Sequence, residues 1–168
     1  MCCQLLCCSQ LNSSDYWTRY DAVNSLGSFG RNASQAIPSL KKQLDDKTLL
    51  IRLRTAIALF LISNKDAELK RELKAAFSSD DRSDRYEAMK AIVELNRSGG
   101  PFVRYALAEL RRSPPELAAE AINALQAIGT EEAIAALQAT AKSSDWMLRS
   151  QALKALEKVR NPDGKGGN

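Results

Sequence analysis

The side chains best suited to chemistry are the thiols of four cysteines, all near the start of the chain. They are Cys2, Cys3, Cys7 and Cys8. Two adjacent pairs could bind a soft metal, but their spacing matches no common zinc site and the chain has no histidine to complete one. Lipid attachment to the thiols is a second alternative. The third, which we favour, is that these cysteines pack as small apolar side chains.

The rest of the chain offers little for catalysis. Because it contains no histidine, it cannot form a Ser-His-Asp triad, a Cys-His pair or a His-Glu-x-x-His metal motif. Pairs of acidic residues occur where helices are expected to begin, and there carboxylates cap N–H groups and complement the helix dipole. These pairs are Asp45–Asp46, Asp80–Asp81 and Glu131–Glu132. We therefore predict no catalytic residue, no metal and no cofactor, and a protein that is not an enzyme.

An internal repeat governs the arrangement of the apolar residues. Arg19, Arg52 and Arg85 recur at one constant interval, Ala118 continues the series at that interval, and Arg149 follows after a slightly shorter one. If each of these register residues is position i, then i+3, i+6, i+7 and i+10 are small or large apolar residues in nearly every copy. Such offsets share one side of an α-helix, so each copy predicts an amphipathic helix, the A helix of a repeat. Five copies at nearly one period predict a repeat array.

A second helix, the B helix, is predicted between successive A helices. Apolar residues four apart recur there: Leu40 and Leu44, Leu73 and Phe77, Ala106 and Leu110, and then Ile134, Leu137 and Ala141 in a shorter fourth copy. The A helices are expected near 15–29, 47–62, 81–96, 115–128 and 145–160, and the B helices near 34–45, 66–77, 101–112 and 131–142. Glycines that follow A helices should form left-handed caps, at Gly30, Gly99–Gly100 and Gly129. The predicted fold class is all-α, an α-solenoid forming a right-handed superhelix of about four and a half helix-turn-helix repeats.

Three segments follow from this register. Shifting the B-helix pattern back by one full repeat maps Leu40 onto Cys7 and Leu44 onto Leu11. Residues 1–12 are therefore interpreted as a Cys-rich segment that forms a capping half-repeat helix. Residues 13–160 are the repeat domain. Residues 161–168 begin with Asn161-Pro162, which stops a helix, and are expected to be a flexible tail.

The A helices resemble the HEAT family, particularly its short bacterial repeats. The family pattern places Asp, Arg and Ala at fixed spacings before an Ala-Leu pair, and Asp15, Arg19 and Ala22 follow it. The copies at 81–95 and 145–159 match as well, whereas the fourth copy has Pro114 and Ala118 in place of Asp and Arg. The pairs are also spaced for i, i+4 contacts within a helix. The resemblance implies hydrogen bonds and ion pairs between repeats, made by Asp15, Arg19, Arg52, Asp81, Arg85, Asp145 and Arg149.

Composition constrains the partners only weakly. There are 24 basic and 20 acidic residues, interspersed along the chain, and a net charge of +4 is too small to identify a partner. The mixed charge argues against nucleic acid. No apolar stretch approaches the roughly 18 residues that a membrane helix needs, so we expect no membrane partner. We expect the protein to be a monomer. We also expect it in the cytoplasm, because the absence of cysteine from the repeats suits a reducing compartment.

The candidate partner-binding surface lies opposite the apolar stripe of the B helices. It consists of five cations and a tyrosine: Lys42, Arg71, Lys74, Arg104, Tyr105 and Arg111. Glu72 and Glu109 are expected to dilute its charge, and an ordinary solvated helix face is the alternative interpretation. Trp17 and Trp146, near the starts of the first and last A helices, are expected to cover the repeat ends.

Function must then arise from a surface rather than from a catalytic centre. The leading hypothesis is a non-catalytic scaffold or adaptor that binds another protein, through an acidic segment of that partner. A second hypothesis follows from the resemblance to HEAT-like subunits of bilin lyases and related phycobilisome proteins, which handle a chromophore or its apoprotein. The third, nucleic-acid binding similar to that of HEAT-like alkylpurine glycosylases, would require a concentrated basic groove.

Overall fold

The structure is a computed structural model that describes residues 2–112 and 115–161. Within those residues it contains α-helices and 3-10 helices and no strand, which confirms the predicted all-α fold class. The five A helices are α2 (Tyr16–Ser28), α4 (Leu49–Ser63), α6 (Arg82–Leu95), α8 (Pro115–Ile128) and α10 (Trp146–Arg160). The B helices are α3 (Ile37–Gln43), α5 (Ala67–Phe77), α7 (Val103–Arg112) and α9 (Glu131–Thr140), and α1 (Cys2–Gln10) precedes them all.

Two of the B helices begin later than the sequence predicts. A 3-10 helix, Gly30–Ala36, precedes α3, and another, Asn96–Phe102, precedes α7. The residues that were expected to start the third B helix, including Pro101, therefore lie in 3-10 geometry. The tighter 3-10 winding is common at helix ends and in connectors.

The ends of the A helices are fixed by local hydrogen bonds and backbone conformation. Asp15 accepts a hydrogen bond from the Thr18 backbone N–H at 2.7 Å, as expected for an N-cap. Gly30 and Gly129 have φ of 52° and 61°, which confirms two of the predicted left-handed caps. At the end of α6 the left-handed residue is Asn96 (φ 48°), not Gly99 or Gly100. A Cβ on Gly99 would lie 3.2 Å from Ile128 Cγ1, so that glycine serves close packing instead.

The chain divides into two compact units, residues 1–84 and residues 85–168. In the first unit α4 is central, since α2, α3, α5 and the first 3-10 helix all pack on it. In the second unit α8 has that position and packs on α7, α9, α10 and the second 3-10 helix. Each unit is thus built from successive helix pairs, as the repeat pattern predicts.

The apolar stripe of the A helices forms the core, as expected. The small residues three positions beyond the register residue are at most 1% exposed in all five copies: Ala22, Thr55, Ala88, Ala121 and Ala152. The larger residues four positions further along are also buried: Leu26, Leu59, Ile92, Leu125 and Leu156. In the fourth B helix, however, Ala133 and Leu137 are buried, while Ile134 and Ala141 are only half-buried. The spacing of four was correct there, but its starting residue was wrong by one position.

The N-terminal helix packs on the first A helix. α1 contacts α2 and the first 3-10 helix. Cys7 and Leu11 are both buried, in agreement with the register that maps them onto Leu40 and Leu44. Gln43 is buried as well, and its side-chain Nε2 donates a hydrogen bond to the Leu11 carbonyl oxygen, so α3 holds the end of α1.

The side chains of Cys2 and Cys3, and residues 162–168 of the predicted tail, lie outside the described residues. Among those that are described, no helix combines the length and apolar character needed to cross a bilayer.

Removal of residues 1–11 should lower the melting temperature, because it would expose the apolar surface of α2 that α1 covers. Changing all four cysteines to alanine should cost much less, since only small apolar groups would be lost. Thermal unfolding followed by circular dichroism compares the two variants. If the cysteine-free chain loses as much stability as the truncated one and the parent carries stoichiometric zinc, the capping interpretation is wrong.

Candidate functional site

One polar arrangement that recurs along the chain is a set of arginines at the first position of the repeat register. Arg19 Nε lies 2.8 Å from Asp46 Oδ2, and both side chains are less than a tenth exposed. In the next copy Arg52 Nε lies 3.2 Å from Glu72 Oε2. Ion pairs of this kind persist when buried only if each charge has its partner.

Arg19, Arg52 and Arg149 also hold the turn that precedes their own A helix. Nη1 of Arg19 donates to the carbonyl oxygens of Ser13 and Ser14 at 3.0 and 3.1 Å. Nη1 of Arg52 donates in the same way to the carbonyl oxygens of Asp46 and Lys47. Nη1 of Arg149 donates to those of Ser143 and Ser144, at 2.6 and 3.2 Å. The arginine therefore satisfies backbone acceptors that the A helix cannot reach.

The partners differ from the i, i+4 pairs that the spacing suggested. Asp15 accepts hydrogen bonds from the backbone N–H and the hydroxyl of Thr18, and Asp145 accepts from the backbone N–H of Met147 and of Leu148. Asp81 accepts from the Ser83 backbone N–H. These aspartates cap helices because a carboxylate at the N-cap position reaches the first-turn N–H groups directly. The carboxylate opposite Arg19 comes instead from Asp46, which precedes the next A helix.

Two glutamates of this network were assigned to the wrong environment by sequence reasoning. Glu72 and Glu109 were expected to dilute the charge of an exposed surface, yet they are only 4% and 1% exposed. Glu109 Oε2 lies 4.0 Å from Arg85 Nε. The spacing did contain a signal, because Leu69, Glu72 and Leu73 fall at i, i+3 and i+4, within one apolar stripe.

Asp46 gives the network a predictable pH dependence. Burial raises the pKa of its carboxyl, but hydrogen bonds from the Thr48 backbone and the Arg19 guanidinium together leave that pKa below its ordinary value of 3.8. Since the unfolded chain binds more protons than the folded one in this range, the stability that Asp46 supplies is present above its unfolded pKa. That contribution is lost as the pH falls through the lower, folded-state pKa.

We therefore expect the Asp46→Asn variant to be less stable than the parent at neutral pH and to lose less further stability on acidification. Urea unfolding at a series of pH values below about 5 gives the free energy of unfolding of parent and variant, and hence how steeply each falls with pH. Parallel plots of unfolding free energy against pH for parent and variant would contradict this expectation.

The predicted basic surface is only partly an exposed row of cations. In the first unit Lys42, Arg71 and Lys74 are exposed, and Arg71 Nε lies 2.9 Å from the buried Glu72 carboxylate. In the second unit Arg104 is exposed and its guanidinium lies over the ring of the half-buried Tyr105, 5.0 Å from the centroid. Arg71 and Arg104 thus already contact a residue of their own helix.

Arg111 borders a groove between two B helices of the second unit. The groove has a volume of about 280 Å³ and lies between α7 and α9, with the start of α10 at one end. It is lined by Leu107, Leu110, Arg111, Ala136, Ala139, Thr140, Ser143 and Leu148. Its walls are mainly apolar, and Arg111 supplies a charge. Sequence reasoning identified Arg111 but missed the apolar floor, because Leu110 was assigned wholly to the core and is in fact half-buried.

The two tryptophans do not cover the repeat ends as expected. Trp17 is 65% exposed and Trp146 is 68% exposed. Both precede the register arginine by two or three positions, which places them away from the buried stripe of their helices. Trp17 instead packs edge-on against Tyr16 and Tyr20, at centroid distances of 4.8 and 5.9 Å.

In the part of the chain that is described, no cluster of cysteine and acidic side chains could hold a metal ion.

The solved structures that are similar to this chain include the following two. One is the complex of CpcE and CpcF of phycocyanin lyase from Nostoc sp. PCC7120, which aligns over 95% of this chain with a TM-score of 0.57 and 22% identity. This chain spans 66% of that protein's chain. The other is an engineered protein from a structural genomics consortium, with a TM-score of 0.52, 21% identity and coverage of 93% of this chain and 78% of that one. At these identities the likeness concerns the fold.

Sequence comparison points to the same type of repeat. No curated protein matches the chain. The family model for HEAT repeats matches residues 103–165, which include α7 to α10 and the groove beside Arg111. The five buried A-helix stripes carry the same pattern from Tyr16 to Arg160. The resemblance to HEAT repeats is thus confirmed, and residues 103–165 are the part of the chain that the family model itself matches.

Proposed function

We propose that this chain is a non-catalytic scaffold, a cytoplasmic monomer that binds an acidic segment of another protein. The observation that supports this most directly is the apolar groove between α7 and α9 with Arg111 beside it. HEAT-like repeats provide a scaffold fold, and repeat proteins commonly bind partners along such surfaces.

The lining of the groove suits a peptide segment, because apolar side chains and the charge of Arg111 lie side by side along it. Leu107 and Leu110 can receive an apolar side chain of the partner, while the guanidinium of Arg111 can bind a neighbouring carboxylate. The exposed Arg104 on the same helix would add to the positive potential that attracts an acidic segment. Within the first unit, the exposed Lys42, Arg71 and Lys74 are proposed as a separate basic surface for an acidic segment.

The Arg111→Glu variant tests this proposal. The parent, this variant and an Arg31→Glu control, which changes the same charge at an exposed position in the first 3-10 helix, are used to capture partners from the native cell extract. We expect a partner that the parent and the control retain in low salt, that raised salt weakens, and that Arg111→Glu loses. Helicity and melting temperature should be equal in all three. Equal capture by the parent and Arg111→Glu would refute a role for the groove.

A second candidate function is participation in bilin attachment. It is favoured by the structural similarity to CpcE and CpcF of phycocyanin lyase. Incubation of the purified chain with a free bilin distinguishes the two candidates, because a bilin held in a fixed conformation changes its visible absorption. A saturable spectral change would favour the bilin-related function, and an unchanged spectrum would leave the protein-binding scaffold as the proposal.

A further inference from the structure

One position of the A helices is buried in every copy except the last. It lies four residues after the register position, and its buried copies, at most 1% exposed, are Val23, Ala56, Met89 and Ile122. In α10 the equivalent residue is Leu153, which is 54% exposed. Within a unit, the next A helix packs on the one before it, α4 on α2 and α10 on α8. The side of α10 that carries Leu153, called its outer side below, therefore has the residue pattern of an interface between repeats.

The arginine network is incomplete at the same helix. Arg19, Arg52 and Arg85 each have a carboxylate within 4.0 Å of Nε. Arg149 donates to two backbone carbonyls, but no ion pair joins it to a carboxylate among the described residues. Among the described residues, α10 thus lacks both the apolar cover that the other four A helices have and the carboxylate that the other three register arginines have.

These features share one shallow groove along α10, of about 410 Å³. It is lined by Trp146, Arg149, Ser150, Leu153, Lys154 and Glu157. Arg149 and Lys154 outnumber Glu157, and Arg160 adds a further exposed cation at the end of the helix. Residues 162–168 contain no Leu, Ile, Val, Met or aromatic residue, so they cannot supply the missing apolar cover.

We propose that the outer side of α10 binds an acidic amphipathic helix of a partner protein. The apolar side of that helix would cover Leu153 and Trp146, as the next A helix covers its neighbour within a unit. Its carboxylates would pair with Arg149 and Lys154, as Asp46 pairs with Arg19. A second copy of this chain is a poorer occupant, because it would bring two positively charged helix surfaces together. This surface goes beyond the proposed function, since its residues differ from those of the groove beside Arg111.

A synthetic helical peptide of about 20 residues tests the proposal, with leucine along one side and glutamate and alanine elsewhere. The chain has two tryptophans, so the Trp17→Phe variant reports on Trp146 alone. We expect the acidic peptide to shift the Trp146 emission to shorter wavelength in a saturable manner, because the exposed ring becomes covered. Added salt should weaken binding. A twin peptide with every glutamate replaced by lysine should bind at least about tenfold more weakly.

Two further variants locate the site. Leu153→Ser should weaken binding of the acidic peptide by about tenfold or more, whereas Leu61→Ser, at a leucine that is 44% exposed in the first unit, should leave it unchanged. Absence of an emission shift, equal binding of the two peptides, or equal affinities of the two serine variants would overturn the proposal. So would a concentration-dependent emission shift without peptide that accompanies dimer formation in analytical ultracentrifugation, because the occupant would then be a second copy.

Discussion

Replacing Leu125 with alanine should lower the free energy of unfolding by about 2–5 kcal/mol, the range for a leucine removed from a packed core. Leu125 is fully buried in α8, the central helix of its unit, on which α7, α9 and α10 pack. Leu59, its equivalent in α4, is 2% exposed and should behave in the same way. The loss reflects both the transfer of apolar surface and the cavity that remains.

The matched control is Leu156→Ala in α10. Leu156 occupies the same register position but is 8% exposed, in the helix whose outer side is uncovered among the described residues. Because the stability of a repeat protein depends on interfaces between neighbours, this substitution should cost less than the other two. Urea unfolding of the three variants gives the comparison. Small and equal losses at all three positions would show that the assigned register is wrong.

Replacing Arg19 with methionine should cost about 3–5 kcal/mol, the range for breaking a buried ion pair. The substitution leaves Asp46 without its guanidinium and leaves the carbonyl oxygens of Ser13 and Ser14 without a donor. Methionine retains much of the side-chain volume, so the loss reports on polar contacts rather than on a cavity.

Arg149→Met provides the comparison for this second prediction. Arg149 makes the same two bonds to backbone carbonyls but has no ion pair with a carboxylate among the described residues. Its replacement should therefore cost only about 1.5–3 kcal/mol, as for hydrogen bonds that involve one charged group. The two losses are measured by urea unfolding of dilute protein. Equal losses would mean that the contact between Arg19 and Asp46 adds nothing to stability.

Much of this fold could be predicted from the sequence because one pattern is repeated five times. The positions of Leu26 and Ala22 in the stripe recur at each step, and repetition averages out local exceptions such as Ser25 and Thr55. The starts of two B helices were predicted too early. The 3-10 helices before α3 and α7 have no periodicity of their own, since the apolar pattern begins only after them.

The polar contacts were harder to predict for a physical reason. Sequence spacing suggested that Arg19 pairs with Asp15 in its own helix, but the N-cap position commits Asp15 to the N–H of Thr18. The actual partner, Asp46, is 27 residues away and is brought near only when the repeats pack. Tertiary contacts of this kind are not encoded in the periodicity of a single helix.

The candidate surfaces could likewise be predicted only in part from the sequence. Arg111 could be assigned to the exposed side of α7, but its groove is completed by α9 and the start of α10. The exposure of Leu153 emerges only when its copies are compared in the structure, because a leucine at that offset looks no different in sequence from the buried Ile122. The absence of a neighbouring helix among the described residues, rather than the residue type, distinguishes this position.

Site-specific photo-crosslinking tests the proposed binding role most directly. A photoreactive amino acid is placed at Leu107, in the groove between α7 and α9, and separately at the exposed Leu61 of the first unit. After illumination in the native cells, crosslinked peptides are identified by mass spectrometry. We expect Leu107 to crosslink to a discrete acidic segment of one protein, Leu61 not to do so, and Arg111→Glu to abolish the crosslink. Indiscriminate crosslinks from both positions, or a crosslink from Leu107 that persists in Arg111→Glu, would contradict it.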